Sequence, residues 1–345
     1  MSSPTTLRDG AAGTAAPSQR AEAEPQPEPR AADEIRRRLK DPGFWAEWTV
    51  IPAFVVLLIV FGLISDVFLT ADNIESVLAA SAVLIVLAIG QTFAVTTAGI
   101  DLSMGSVLTL AGVVLGQLYS DGRSIWLAIL AAVLVGMAVG FVNGFVIAKA
   151  RISDFIVTLG TLSIAAGVAL VISDGKPVEV INRTMLDLST KSVGPLRLMV
   201  IVALVVAVLA HVLLFQTRFG THLLATGGNA EGSRAVGVRT HRVKIAAYTF
   251  SGAMAGLAAV LLVSRVGSAE PAAATSLLLN AVAAVVLGGV SLFGGRGTIV
   301  GPVIGAVLLT ALVNGLTLAG VSEAYQPIAV GTVVVASAVL MRYQR

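Results

Sequence analysis

Cysteine is absent from the 345 residues and histidine occurs three times at scattered positions. Disulfides, thiolate chemistry and cysteine-based metal sites are thereby excluded, and no metal centre suggests itself. Charge is scarce too: Asp, Glu, Lys and Arg make up 12% of the chain, about half of the roughly one quarter usual in soluble domains. No Gly-x-x-x-x-Gly-Lys-Ser/Thr segment is present, so the chain has no phosphate-cradling loop and no ATPase of its own. No apolar run carries an Asp or Glu deep in its middle, or a paired Lys or Arg. A proton or ion relay therefore has no obvious candidate. No catalytic residue is expected.

Apolar residues fill the space that charge leaves. They form 56% of the chain, and the mean hydropathy is +0.89. A chain of that composition is an all-α polytopic membrane protein, and its 35 glycines suit helices whose backbones approach closely in lipid. Runs of about 16 to 24 apolar residues cross a bilayer core as helices. Ten are expected: Thr49–Ile64, Ser76–Ala98, Leu102–Tyr119, Ile125–Ala148, Phe155–Ser173, Leu196–Phe215, Ile245–Ser264, Leu277–Phe293, Thr298–Leu318 and Pro327–Met341.

Two domains follow from the composition. Residues 1–44, rich in Ala, Pro, Glu and Ser, read as a disordered cytoplasmic tail; residues 45–345 read as the transmembrane domain. No apolar segment of a cleavable signal precedes Val50, so the first span is expected to be an uncleaved anchor. Arg36, Arg37, Arg38 and Lys40 then hold the N-terminus inside. Ten spans put both termini, Lys149, Arg151 and Arg296 in the cytoplasm. The imperfect loop is Asp174–Pro195, which carries Lys176, Arg183 and Lys191 to the outside.

The organising segment is the loop Gln216–Lys244. It holds Arg218, Arg234, Arg239, Arg242 and Lys244 against one acid, Glu231, and by the positive-inside tendency it faces the cytoplasm. Its middle reads as a short helix with Asn229 as N-cap, Glu231 in the first turn and Gly237 as the stop. A structured helix on such a loop is more readily a docking surface than a connector.

A faint repeat runs at a constant offset of 171: Val142-Asn143-Gly144 returns as Val313-Asn314-Gly315, and Gly160-Thr161 as Gly331-Thr332. The copies lie five spans apart and would be inverted, as in many transporters. Polar residues inside spans are the candidate pathway or gate. Asp101 and Ser103 sit in a polar break after the second span, either as caps of the next helix or as a broken-helix site on the path. Asn143 and Asn314 are either interhelical hydrogen-bonding groups or cargo contacts, and Gln91 and Thr161 are open in the same way. Leu287–Gly297, with Gly294, Gly295 and Gly297 around Arg296, is a tight turn in which Arg296 is a topology anchor or a partner contact more readily than an ion site. Ser268–Pro271 is a plain external loop or part of an outer gate.

Taken in order, GIDLSMGSVLTLAG after Ala98, GNAEGSRAVG after Gly227, AVVLGGVSLFGGRGTIVGPVIGA after Ala283 and GLTLAGVS after Asn314 resemble the permease subunits of ribose-type sugar ABC importers. That family extends to xylose, galactose, autoinducer-2 and nucleoside permeases. The resemblance covers about Phe44 to Met341. It implies a homodimer or heterodimer of permease subunits in the bacterial inner membrane, worked by a separate ABC ATPase that binds the ATP and Mg, and fed by an external solute-binding protein. No cofactor in this chain and no nucleic-acid partner are implied, and membrane lipid is the surrounding medium. Gly228, Asn229, Glu231, Arg234 and Gly237 match the family's coupling-helix pattern, while Gly232 and Ser233 stand where the family usually has alanines. The expected cargo is a monosaccharide or related small polar solute. A nucleoside, an ion-coupled secondary carrier and a receptor or scaffold are the alternatives.

Overall fold

The computed structural model describes residues 50–343 except residue 273, with side chains as far as residue 336. The expected tail at residues 1–44 and the basic cluster Arg36–Lys40 lie outside the described residues.

The chain is all-α. Ten apolar helices coincide one for one with the expected spans: α1 (Val50–Ile64), α2 (Ala71–Thr96), α3 (Met104–Ser120), α4 (Ile125–Ala150), α5 (Asp154–Ile172), α7 (Leu198–Phe215), α10 (Thr240–Val266), α11 (Thr275–Leu287), α12 (Val300–Leu318) and α13 (Gln326–Tyr343). Between them come β1 (Val178–Glu179), α6 (Arg183–Thr190), β2 (Ser192–Val193), β3 (Leu196–Arg197), α8 (Arg218–Gly228), α9 (Ala230–Ala235) and β4 (Ser268–Ala269). In hydrocarbon a helix satisfies its own backbone, which is why these Leu, Val, Ala and Ile runs fold so. Thr70 and Ser124 start α2 and α4 by accepting the amides of Asn73 and Leu127 at 3.4 and 3.2 Å.

Six of the ten are long and apolar enough to cross a membrane by themselves; α1, α3 and α11 are shorter. The 13 residues of α11 rise only about 20 Å. Its span was expected to run to Phe293, but the helix stops at Leu287, and Gly289, with φ +77°, turns the chain away. Irregular backbone at such depth is tolerated where protein surrounds it.

The faint repeat becomes a property of the fold. Adding 171 to α2, α3, α4 and α5 gives 242–267, 275–291, 296–321 and 325–343, each within four residues of the observed bounds of α10, α11, α12 and α13. Packing follows the same exchange. As α4 packs on α10, so α12 packs on α2; as α3 packs on α10, so α11 packs on α2. The break between α2 and α3 therefore has its counterpart between α10 and α11, at the opposite end of the bundle. We call the end carrying α8 and α9 the basic end and the other the strand end. The core lies along α2, where Ala82 and Val86 through Ile89 are buried, whereas α5 buries only Thr158, Ala165 and Ala169.

At the strand end, 174–195 is folded rather than a plain loop. β1 pairs antiparallel with β4, Val180 N–H donates to Gly267 O at 2.8 Å, and Tyr119 OH donates to Ile181 O at 2.8 Å. Ser268–Pro271 is thus tied into this cap.

Candidate functional site

The site grows from the break after α2. Thr97 and Ala98 leave the helix, Ala98 at φ +59° in the left-handed region that side chains rarely adopt. The chain then runs through Gly99 to Asp101, which is 1% exposed. One Asp101 oxygen accepts from the Ser103 amide at 3.0 Å and its hydroxyl at 2.6 Å; the other accepts from Ser251 of α10 at 2.8 Å. Ser103 in turn accepts from the Asn143 amide group at 2.9 Å, and Asn143 accepts from Thr161 at 2.6 Å.

Four of the six expected pathway residues, Asp101, Ser103, Asn143 and Thr161, are therefore one hydrogen-bonded chain from the break before α3 to α4 and α5. The other two are elsewhere. Asn314 exchanges amide hydrogen bonds with Asn73 at 2.9 and 3.0 Å, near the strand end. Gln91 is fully buried in α2, and neither of its amide atoms has a partner among the described residues. Of the two readings of the break, capping fails for Ser103, which makes no cap bond to α3 because its hydroxyl is committed to Asp101 and Asn143, while Asp101 does accept the Ser103 amide.

The structure adds an ion pair that the sequence did not indicate: Lys244 lies 2.9 Å from the Asp154 carboxylate, partly buried, with the side chains 24% and 15% exposed. Tyr248 OH donates to the same carboxylate at 2.8 Å. Each charge stands at the end of a span and 90 residues from its partner, so in sequence both pass for loop charges. Only the convergence of α5 and α10 joins them. Gly99 lies directly beneath: a Cβ there would strike the Asp154 carboxylate and the Tyr248 hydroxyl.

The short helix expected in the basic loop is present as α9. Asn229 accepts the Gly232 amide at 2.8 Å and caps α9; Glu231 lies in the first turn and Arg234 in the last, and Gly237 at φ +88° ends it. Glu231 is 92% exposed and only 4.0 Å ion-paired to Arg234, so both heads are available to a partner. Gly228 is the last residue of α8. Gly232 stands close against the Asn229 side chain, where a Cβ would lie 3.1 Å from it. The glycine is compatible with a six-residue helix because the cap supports it. What the sequence reading missed is α8 itself, whose buried Leu223 and Thr226 at helical spacing were the available signal.

Three backbone segments meet here. Gly295 N–H donates to Thr96 O at 3.0 Å, a Cβ on Gly227 would strike that same carbonyl, and a Cβ on Gly294 would lie 2.7 Å from the Ala98 nitrogen. The end of α8, the break after α2 and the glycine turn before α12 thus share one junction with no room for side chains. Arg296 sits in that turn. The region gathers hydroxyl and amide groups around the Asp101 carboxylate, with the Asp154–Lys244 pair beside it.

Comparison with known proteins agrees with this architecture. Residues 73–338 match the family described as branched-chain amino acid transport system / permease component. The ribose import permease protein RbsC of Escherichia coli K12 is 38% identical over 297 residues, covering 84% of this chain and 91% of that protein. RbsC of Bacillus subtilis 168 is 39% identical over 290 residues, 83% of this chain and 90% of that protein. The D-allose transport system permease protein AlsC of E. coli K12 is 34% identical over 301 residues, 87% of this chain and 92% of that protein. No solved structure matches the chain. With three quarters of its length inside the family match and ten apolar helices to carry it, the chain belongs to this family of transport-system permease components and is a multi-pass membrane permease.

Proposed function

We propose that the chain is the permease subunit of an ATP-binding-cassette importer for a monosaccharide or related hydroxylated solute. It is paired with a second permease subunit, most simply another copy of itself, driven by a separate ATPase and loaded by an external binding protein. In this reading the basic end is cytoplasmic, both termini are inside, and the strand end receives the binding protein. The observation that carries it is the junction at the basic end. An exposed capped helix, α9, offers Glu231 and Arg234 to a partner, while the adjoining α8 is locked backbone to backbone onto the break between α2 and α3. Motion imposed on the exposed helix has a direct route to the membrane core. The names of the relatives favour a sugar, and the hydroxyl and amide groups of Asp101's neighbourhood suit a neutral cargo. In this scheme ATP and Mg are held by the ATPase.

The partly buried Asp154–Lys244 pair supports a second reading, an ion-coupled carrier, since paired ionisable groups within a membrane domain mark such relays. Proteoliposomes separate the two. The isolated chain is expected to accumulate no labelled sugar under a proton or sodium gradient. The complex copurified with its ATPase, supplied with loaded binding protein and internal ATP, is expected to do so. Gradient-driven accumulation by the chain alone overturns the importer reading.

A further inference from the structure

We propose that one stripe of α10, Lys244, Tyr248 and Ser251, is the transmission that carries displacement of the basic loop to the break between α2 and α3. This rests on the importer reading and assigns residues outside the loop to its coupling step. The three residues lie at i, i+4 and i+7, one face of a helix. Each is bonded to an acid on another element: Lys244 and Tyr248 to Asp154 at the start of α5, and Ser251 to Asp101 in the break. Gly99, two residues before Asp101, is packed against Asp154 and Tyr248, so the break cannot shift without meeting them.

The lever behind the stripe is stiff. Gly136, Gly140 and Gly144 of α4 face Gly252, Tyr248 and Ile245 of α10 at backbone contact; a Cβ on Gly136 would strike Gly252 O and one on Gly140 would strike Tyr248 O. Close glycine packing of this kind joins two membrane helices over several turns. α10 begins at Thr240, five residues after α9 ends at Ala235. A pull on α9 therefore moves α10 together with α4, and the stripe passes the movement to Asp101 and through Ser103 to Asn143 and Thr161. The Lys244–Asp154 pair is the member open to change, since it is the partly exposed one. Tyr248 and Ser251 are both fully buried. These are positioning residues, acting through Asp154 and Asp101.

The test uses the complete complex in proteoliposomes, with solute uptake and ATP hydrolysis measured together. Lys244→Met is expected to lower uptake about tenfold, within the range that residues on a coupling route show, while binding-protein-stimulated hydrolysis stays within about twofold. Asp154→Lys alone behaves likewise, and Lys244→Asp combined with Asp154→Lys restores a measurable part of the uptake. Tyr248→Phe and Ser251→Ala remove one hydroxyl each and decide the matter if the charge variants fail to assemble. Both are expected to lower solute carried per ATP. Unchanged uptake in Lys244→Met and Ser251→Ala overturns the proposal, as does a proportional fall of uptake and hydrolysis in the assembled variants. A complex of the unaltered chain that shows no ATP-driven uptake instead sinks the importer reading, whatever the variants do.

Discussion

The two helix breaks occupy equivalent positions in the repeat, 97–103 at the basic end and 268–274 at the strand end, yet they are held by different means. At the basic end Asp101 and Ser103 bind side chains of α10 and α4. Their counterparts 171 residues later are Ala272 and Ala274. The strand-end break is held by backbone instead: β4 pairs with β1, and the Thr109 hydroxyl bridges Ala272 O at 3.4 Å and the Ala274 amide at 3.3 Å. The flanking helix pairs differ in the same sense. Gly136 and Gly140 meet α10 backbone to backbone, whereas their counterparts in the α12–α2 pair are Val307 and Ala311. One architecture has thus been wired twice, with a stiff polar linkage at the end facing the basic loop and a short ladder at the other. A device worked from one side needs that asymmetry.

Six substitutions sharpen or break the contrast. Gly140→Ala brings a methyl against Tyr248 O and is expected to cost about 3 kcal/mol, the upper range for overpacking. Its counterpart already is alanine, so Ala311→Gly is expected to cost only about 1 kcal/mol; thermal melting of the detergent-purified chain compares them. Equal losses would mean that the glycine contact is not special. Asp101→Ala leaves the Ser103 and Ser251 hydroxyls without their acceptor, at about 2 kcal/mol, read from the same melts; a variant as stable as the parent would show that the polar wiring contributes nothing.

The paired asparagines come next. Asn143→Leu breaks two bonds inside the buried chain and is expected to cost about 1.5 kcal/mol. Asn314→Leu breaks the exchange with Asn73 and should cost about 0.6 kcal/mol, the typical value between membrane helices. A reversed order in the melting temperatures would contradict the claim that the basic end is the more tightly wired. The smallest effect belongs to the strand end: Arg197 and Glu75 form a 2.8 Å pair with both side chains 31% exposed. Arg197→Ala is expected to cost about 0.5 kcal/mol, as for other solvent-screened pairs, and a loss that persists undiminished in high salt would argue against screening.

Much of the outline was legible. Each apolar helix lies where a run of Val, Leu, Ala and Ile predicts it, and the Asn229 cap, Glu231 and the Gly237 stop all have local signatures. The candidate site was legible as a set of residues and not as an arrangement. Asp101, Ser103, Asn143 and Thr161 were picked as polar groups in apolar surroundings, but so were Gln91 and Asn314, which stand apart from them. Nothing near Lys244 in the chain marks it as the partner of Asp154, and α8 was hidden because its apolar residues are few and sit among glycines and basic groups.

By itself the sequence determined that this protein lives in a bilayer, where its helices fall and which loop is basic, because hydropathy, caps and turn glycines act over a few residues. Tertiary structure alone decided that the halves are wired differently and that Asp101, Asp154 and α10 form one linkage. Those contacts join residues 90 and 150 positions apart. They depend on glycines that let two backbones touch, and such a fit exists only once the helices have packed.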